Sequence, residues 1–112
     1  MMTWRVGGQE FGVVVNWNVI RNYCRLKGIS DISQLDKALS FDVDGVLTMA
    51  HCCIREGERL SGRTLELTEE DLGAIVGPTD MTNFLRVYVE LSTARVPVAA
   101  GDTSAEKKTG NP

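Results

Sequence analysis

The chain has 112 residues, of which 43% are apolar, and this is enough for one small domain with a single hydrophobic core. A two-domain enzyme is therefore excluded. Twelve basic and fifteen acidic side chains leave a net charge of −3, without the concentrated positive field that binding to a nucleic-acid backbone requires. We therefore expect no nucleic-acid partner.

Membrane insertion and disulfide bonding are also disfavoured by the sequence. No apolar run approaches the roughly 20 residues of a transmembrane helix, and residues 1–12 are too polar for the apolar core of a signal peptide. Cys24, Cys52 and Cys53 are an odd number of cysteines with two adjacent, which is not the pattern of a disulfide framework. The sequence thus predicts a cytoplasmic protein with reduced thiols and no membrane partner.

A β-hairpin is predicted over residues 3–15, because two β-prone runs flank Gly7 and Gly8, which can take the positive φ values of a tight turn. A first helix should begin after Asn16, a suitable N-cap, and end at Gly28. Its apolar residues recur at steps of three and four, namely Trp17, Ile20, Tyr23 and Cys24. For Trp4 and Trp17, the amphipathic context favours a place in the core over a place at an interface.

A short second helix is predicted next, with Ser30 or Asp31 as its cap and Ile32, Leu35, Ala38 and Leu39 along one face. The following segment predicts a long central helix of about five turns, since apolar or small residues recur at steps of three and four. This stripe comprises Val43, Val46, Leu47, Ala50, Cys53, Ile54, Gly57 and Leu60. We expect Leu47 and Ile54 to be buried together.

The remaining segments predict a short strand, two more helices and a tail. Residues 63–67, "RTLEL", alternate like a strand, and Thr68 with Asp71 approximates a capping box for a fourth helix ending near Gly77. A fifth helix carries Met81, Phe84, Leu85, Tyr88 and Leu91, although "RVYVEL" also has strand propensity. Residues 96–112 lack spaced large apolar side chains and predict a flexible tail, dispensable for the fold.

The stretch "SFDVDGVLT", residues 40–48, supports two incompatible interpretations. It resembles the first motif of haloacid-dehalogenase-type phosphatases, in which Asp42 would be the phosphoryl nucleophile, Asp44 the general acid/base, and both would hold Mg²⁺. The context opposes this. The preceding "DKALSF" is too polar for a strand buried in a parallel sheet, the lysines after Asp42 lie only at positions 107 and 108, and residues 49–112 are too few for a doubly wound fold.

The alternative interpretation of this stretch is the start of the central helix. Ser40 or Asp42 would cap the first turn, and the carboxylates of Asp42 and Asp44 would each gain about 0.3–1 kcal/mol beside the positive helix end. Gly45 has no role in this interpretation, because glycine early in a helix costs up to about 1 kcal/mol relative to alanine. We favour the helix start and keep the Mg²⁺-dependent phosphotransferase as the alternative.

Other candidate sites are weaker. An EF-hand loop counted from Asp42 would place Val46 and Leu47 at a ligand position and at the obligatory glycine, so calcium is rejected. The adjacent residues His51, Cys52 and Cys53 point about 100° apart on a helix and cannot share one metal ion or form a nucleophilic pair. We expect Cys53 in the core, with His51 and Cys52 on its flank. The sequence therefore assigns no catalytic, cofactor-binding or metal-binding residue.

Four motifs are spread over residues 9–92: "FGVVVNWNVIRNYCRLKGI", "LDKALSFDV", "REGERLSGR" and "LELTEEDL". With the opening hairpin and the long central helix, they resemble the tail assembly chaperones of long-tailed phages and prophages. The resemblance implies a non-enzymatic protein without cofactor that binds the tape-measure protein, keeps that long helical chain from aggregating and helps tail-tube subunits assemble. In many members a ribosomal frameshift appends a second domain, for which a flexible C-terminal segment would suit as a linker.

These expectations define the fold and the function to be compared with the structure. We predict an α+β, mainly α fold, with an N-terminal hairpin and a bundle of four to five helices over residues 1–95. The predicted function is that of a phage tail assembly chaperone, and a generic protein-interaction domain of a mobile element is a further alternative. The sequence leaves open which surface binds the partner and whether copies associate into a homo-oligomer.

Overall fold

The computed structural model describes residues 2–94 and begins with the predicted hairpin. Strands β1 (Met2–Val6) and β2 (Gln9–Val13) pair antiparallel, with Trp4 opposite Phe11. Gly7 and Gly8 form the turn with φ values of 57° and 81°, a region that suits glycine because it has no Cβ. The hairpin prediction is confirmed, with the second strand ending two residues earlier than expected.

Helix α1 (Trp17–Leu26) follows the hairpin and begins at the predicted cap. The Asn16 side chain accepts a hydrogen bond from the Val19 amide at 3.1 Å, which satisfies one of the free donors of the first turn. Gly28, at φ 72°, redirects the chain after the helix. Asp31 then caps a 3-10 turn (Ile32–Gln34) that runs into the short helix α2 (Leu35–Ala38).

Helix α3 (Val43–Leu60) is the central element, as predicted, and it packs against β2, α1, α4 and α5. One face of its middle is completely buried, with Met49, Ala50, Cys53 and Ile54 all 0% exposed. The two ends of the predicted stripe lie outside the core, because the helix is longer than the layers that cover it. Val43 is 90% exposed, Leu60 is 53% exposed, and Leu47 is only partly buried.

The predicted strand over residues 63–67 is wrong. This segment is an irregular connection in which Leu65 and Leu67 pack partly against the core, so an extended path with alternate burial produces the same pattern as a strand. Within residues 2–94 the only sheet is the N-terminal hairpin. The Leu67 carbonyl accepts a hydrogen bond from His51 Nε2 at 2.7 Å, so a side chain satisfies this backbone group.

Helices α4 (Glu69–Ile75) and α5 (Pro78–Ala94) complete the described residues. Thr68 caps α4 by accepting from the Asp71 amide at 3.0 Å, as predicted, and the helix ends shortly before Gly77. The strand alternative for "RVYVEL" is excluded, because α5 continues through it. The predicted tail, residues 96–112, lies outside the described residues. The α+β, mainly helical fold is therefore confirmed.

The core is centred on the contact between the hairpin, α3 and α5. Trp4 is 2% exposed and its ring lies 5.2 Å from that of the fully buried Phe84 on α5. The indole Nε1–H donates to the Asp80 carbonyl at 2.8 Å, so the polar atom of this side chain is satisfied. We call this part of the molecule the core region, and its members include Trp4, Val6, Val13, Met49, Ile54 and Phe84.

Gly57 sets the close approach of α3 to the hairpin. A Cβ atom built on Gly57 would collide with the backbone carbonyl oxygen of Gly12 in β2. The sequence suggested Gly57 as one more member of the apolar stripe, but its role is to let two backbones touch. Only glycine permits this contact.

Candidate functional site

Asp42 and Asp44, the residues of the phosphatase-like motif, stand at the start of α3. Asp42 Oδ1 accepts a hydrogen bond from the Gly45 amide at 2.6 Å, which is the N-cap geometry expected for a helix start. Asp44 lies in the first turn, where the positive end of the helix stabilises its negative charge. The segment before them is a short helix and a loop, in place of the buried strand on which a phosphatase motif is mounted.

Gly45 is explained by the packing of α1 against this helix start. A Cβ atom on Gly45 would lie 2.8 Å from the Tyr23 hydroxyl and 2.9 Å from Asp42 Oδ1. Tyr23 is only 3% exposed, so its ring has little room to move away. A side chain at this position would collide with the neighbouring tyrosine and with the cap, which accounts for the glycine.

The structure also places a lysine beside the motif that the sequence did not suggest. Lys27 Nζ lies 2.7 Å from Asp44 Oδ2, and this hydrogen bond raises the pKa of the lysine. A cavity of about 330 Å³ lies beside Lys27 and is lined also by Lys37, Ser40 and Asp42. Lys27 precedes the motif in the chain, so a search for a downstream lysine missed it.

His51, Cys52 and Cys53 are adjacent on α3 and have different surroundings. His51 Nε2 is engaged with the Leu67 carbonyl, and within residues 2–94 no group of three or more potential ligands could hold a metal ion. Burial raises the pKa of the Cys52 thiol to about 11 and raises that of Cys53 further, which keeps both thiols protonated and poor nucleophiles at neutral pH.

Cys52 departs from the prediction, because it is buried and only 5% exposed. Helix α4 covers this side of α3, where Glu69 accepts a hydrogen bond from the Thr48 hydroxyl at 2.8 Å. The carboxylate of Glu69 also contributes to the raised pKa of the Cys52 thiol. The position of α4 is a tertiary feature, and the spacing of residues on α3 could not reveal it.

A buried carboxylate joins α3 to the start of α1. Glu56 is 4% exposed and accepts hydrogen bonds from the side chains of Asn16 (2.8 Å), Asn18 (3.2 Å) and Arg59, whose guanidinium binds both carboxylate oxygens at 2.8 and 2.9 Å. The hydrogen bond from Arg59, supported by those from the two asparagines, lowers the pKa of Glu56 to about 2. The network therefore joins α3 to the start of α1 through hydrogen bonds between side chains.

An apolar groove with a volume of about 490 Å³ lies on the outer side of α1. One wall is α1 and the other is formed by residues 29–35. We call this feature the α1 groove, and its apolar lining consists of Trp17, Ile20, Cys24, Ile29, Ile32 and Leu35. Trp17 is 58% exposed and Ile32 is 74% exposed, an unusual position for large apolar side chains that face the same depression.

The prediction that Trp17 belongs to the core is therefore wrong. The buried residues of α1 are Val19, Ile20 and Tyr23, which lie on the face that packs against the rest of the core, and Trp17 begins the helix on the adjacent face. The sequence contains a signal for this outcome. The apolar residues of α1 occupy a wider arc than one buried face needs, so some of them must remain uncovered.

The rim of the α1 groove is basic along α1. Arg21 and Arg25 are four residues apart and therefore lie one above the other on the helix, and both line the groove. Their guanidinium groups hydrogen-bond to Asn18 and Asn22 at 3.2 Å, and neither forms an ion pair with any residue in the described range. On the opposite wall, the Asp31 side chain accepts from the Ser33 amide at 3.0 Å.

The fold and these sites define a small α+β domain that carries one apolar, basic-rimmed groove. No helix within residues 2–94 combines the length and the apolar character needed to cross a membrane. Comparisons of the chain with protein-family models, with curated proteins and with solved structures find no match. The function must therefore be inferred from the residues themselves.

Proposed function

We propose that the protein is a non-enzymatic phage tail assembly chaperone that binds the tape-measure protein and assists assembly of the tail tube in the host cytoplasm. The main support for a binding role is the exposed apolar surface of the α1 groove. Large apolar side chains such as Trp17 and Ile32 remain uncovered there, and apolar surfaces rimmed by polar groups are typical of protein-binding sites. The choice of partner rests on the resemblance over residues 9–92.

The structural surroundings of the other candidate residues support a binding role over a catalytic one. Asp42 is engaged as a helix cap, Asp44 is paired with Lys27, and the Cys52 and Cys53 thiols are buried and protonated. Each of these groups thus has a structural role that accounts for its position. No comparable structural role accounts for the exposed apolar side chains that line the α1 groove.

Co-expression with a tape-measure protein encoded in the same tail gene cluster tests the proposal. We expect the tape-measure protein to stay in the soluble fraction and to co-purify with the chaperone, because covering its apolar helical surfaces prevents aggregation. A tape-measure protein that precipitates equally with and without the chain would contradict this function. A soluble complex with an unrelated partner from a mobile element would favour the generic interaction domain instead.

The Mg²⁺-dependent phosphotransferase is a second candidate, because Lys27, Lys37 and Asp42 line one cavity and Asp44 lies beside Lys27. Replacing both aspartates by asparagine distinguishes the two functions. Asparagine also caps helices, so the double variant should keep tape-measure binding and lose little stability. Hydrolysis of p-nitrophenyl phosphate that requires Mg²⁺ and disappears in this variant would establish the enzyme and overturn our proposal.

A further inference from the structure

The shape of the α1 groove suits a helix. Its wall along α1 runs from Trp17 to Arg25, a distance of roughly 12 Å at 1.5 Å per residue, which matches about two turns of a partner helix. Along this wall the apolar side chains of Trp17, Ile20 and Cys24 follow at steps of three and four. A helix laid in the groove would present anchors at i, i+3 or i+4, and i+7 to such a wall.

The charge along the α1 side of the rim selects among amphipathic helices, because two of the three charged residues that line the groove are arginines on α1, while the third, Asp31, lies on the opposite wall. Arg21 and Arg25 are exposed, lie one helical turn apart and have no acidic partner within residues 2–94. Carboxylates on the flank of a docked helix could pair with them, and an arginine can bind a carboxylate through two parallel hydrogen bonds. A helix with lysines at the same positions would be repelled.

The rest of the chain is a poor source of this helix. Residues 95–112 have only Val96 and Val98 as larger apolar side chains, and their few charged residues are of both signs. These residues lack the apolar anchors at helical spacing that the groove would accept. The composition of this segment therefore points to an occupant from another protein.

We infer that the α1 groove is the docking site for an amphipathic helix of the partner protein, with acidic side chains flanking its apolar stripe. This inference rests on the proposed function for the existence of a protein partner, and it adds the surface and the chemistry of recognition. Trp17 and Ile32 contact the apolar stripe, while Arg21 and Arg25 pair with the acidic flank.

A labelled synthetic helix of about 20 residues tests the inference, since shorter peptides are marginally helical in water. The acidic probe has leucines at i, i+3, i+4 and i+7 with glutamates on both flanks, and the basic probe has lysines in place of the glutamates. Fluorescence anisotropy with the full chain should show saturable binding of the acidic probe, at least about tenfold tighter than the basic probe. Equal affinities, or no saturable binding of either probe, would overturn the inference.

Variants of the residues that line the groove test whether the probes bind there. The double variant Arg21→Glu with Arg25→Glu should weaken binding of the acidic probe at least about tenfold and strengthen binding of the basic probe. The double variant Trp17→Ser with Ile32→Ser should weaken binding of both probes by a similar factor. Val43→Ser is the matched control, because Val43 is also highly exposed but lies outside the groove. An equal loss in the control would show that binding is unspecific, and the inference would fail.

The same variants separate this inference from the proposed function. If the wild-type chain keeps the tape-measure protein soluble and the Trp17→Ser, Ile32→Ser variant does so equally well, the chaperone role stands and the docking site is wrong. If the wild-type chain fails in that assay but binds the acidic probe through the groove, the docking site stands and the chaperone role is wrong.

Discussion

The core region and the α1 groove each contain one tryptophan, and the two differ in almost every physical respect. Trp4 is 2% exposed, packs on Phe84 and donates its indole N–H to a backbone carbonyl. Trp17 is 58% exposed and faces a depression lined by other apolar side chains. Burial of the first stabilises the fold, whereas exposure of the second leaves apolar surface available to a partner.

The contrast between Trp4 and Trp17 shows that amphipathic spacing identifies an apolar surface but does not reveal which elements cover it. In the core region α5 and α3 cover the hairpin, while on the outer side of α1 the segment 29–35 forms only one wall of an open groove. Variants in the two regions should therefore separate stability from binding.

Trp4→Ala should have the largest effect on stability. Removing a fully packed tryptophan leaves a cavity between β1 and α5 and abolishes the hydrogen bond to Asp80, so we expect a loss of about 3–5 kcal/mol in the free energy of unfolding. A domain of this size has about 5–15 kcal/mol in total, and the variant should be close to unfolding. Urea denaturation followed by circular dichroism measures the change. A loss below about 1 kcal/mol would place Trp4 outside the core.

Gly57→Ala tests the close contact between α3 and the hairpin. The added methyl group meets the Gly12 carbonyl oxygen, so the backbones must separate, and overpacking of this kind costs about 1–3 kcal/mol. Alanine has a higher helix propensity than glycine by about 1 kcal/mol. A net loss of stability in Gly57→Ala would therefore show that the steric cost exceeds this gain. Gly73→Ala on α4 is the control, since the added Cβ would meet only the end of the Leu47 side chain. A stabilised Gly57→Ala variant would show that the two backbones do not touch.

Glu56→Gln tests the network that holds α1, and thus the groove, against α3. Loss of the charge weakens hydrogen bonds to Arg59, Asn16 and Asn18, and hydrogen bonds to charged groups contribute about 1.5–3 kcal/mol. We expect a loss of this order at pH 7 by urea denaturation. Glu58→Gln is the control, because the Glu58 side chain is more exposed than that of Glu56 (20% against 4%), and the loss of its pair with Arg63 should cost less than about 1 kcal/mol.

The pH dependence of stability gives a second measurement on Glu56. Its pKa falls from 4.5 in the unfolded chain to about 2 in the folded protein, so the unfolded state binds the proton more readily. The stabilisation is fully present above about pH 4.5 and is lost as the pH falls towards 2. Thermal midpoints measured over this range should therefore fall less steeply in Glu56→Gln than in the wild-type protein. Parallel curves would show that the carboxylate is not engaged as described.

Trp17→Ser should have the smallest effect on stability and the clearest effect on binding. Trp17 is 58% exposed, and surface substitutions usually change the free energy of unfolding by no more than about 0.5 kcal/mol. The melting temperature should therefore stay near that of the wild-type protein, in contrast to Trp4→Ala. A loss comparable to that of Trp4→Ala would mean that Trp17 is part of the core and that the contrast between the two regions is false.

Local features of the chain were predictable because they depend on neighbouring residues. Gly7 and Gly8 indicated the hairpin turn, Asn16, Asp42 and Thr68 indicated helix starts, and the spacing of apolar residues indicated α3. Each of these rests on backbone conformation, hydrogen bonds within one turn, or helical periodicity. The same reasoning correctly assigned Asp42 to a cap.

Other features depend on contacts between distant parts of the chain and could not be predicted from neighbouring residues. Tyr23 explains Gly45, Gly12 explains Gly57, and Glu69 on α4 lies near Cys52, although none of these partners is close in sequence. The strand prediction for residues 63–67 failed because alternation records burial on one side and not the presence of a pairing strand.

The sequence by itself thus determined the hairpin turn, the N-terminal caps of α1, α3 and α4, and the length of α3, since turns, caps and periodicity act over a few residues. Only the tertiary structure decided which apolar face was covered, because that depends on which elements pack together and on how far they extend. The α1 groove is one of the features that only the tertiary structure decided. Its Trp17 has the spacing of a core residue and the exposure of a binding residue, and the packing of the other elements makes the difference.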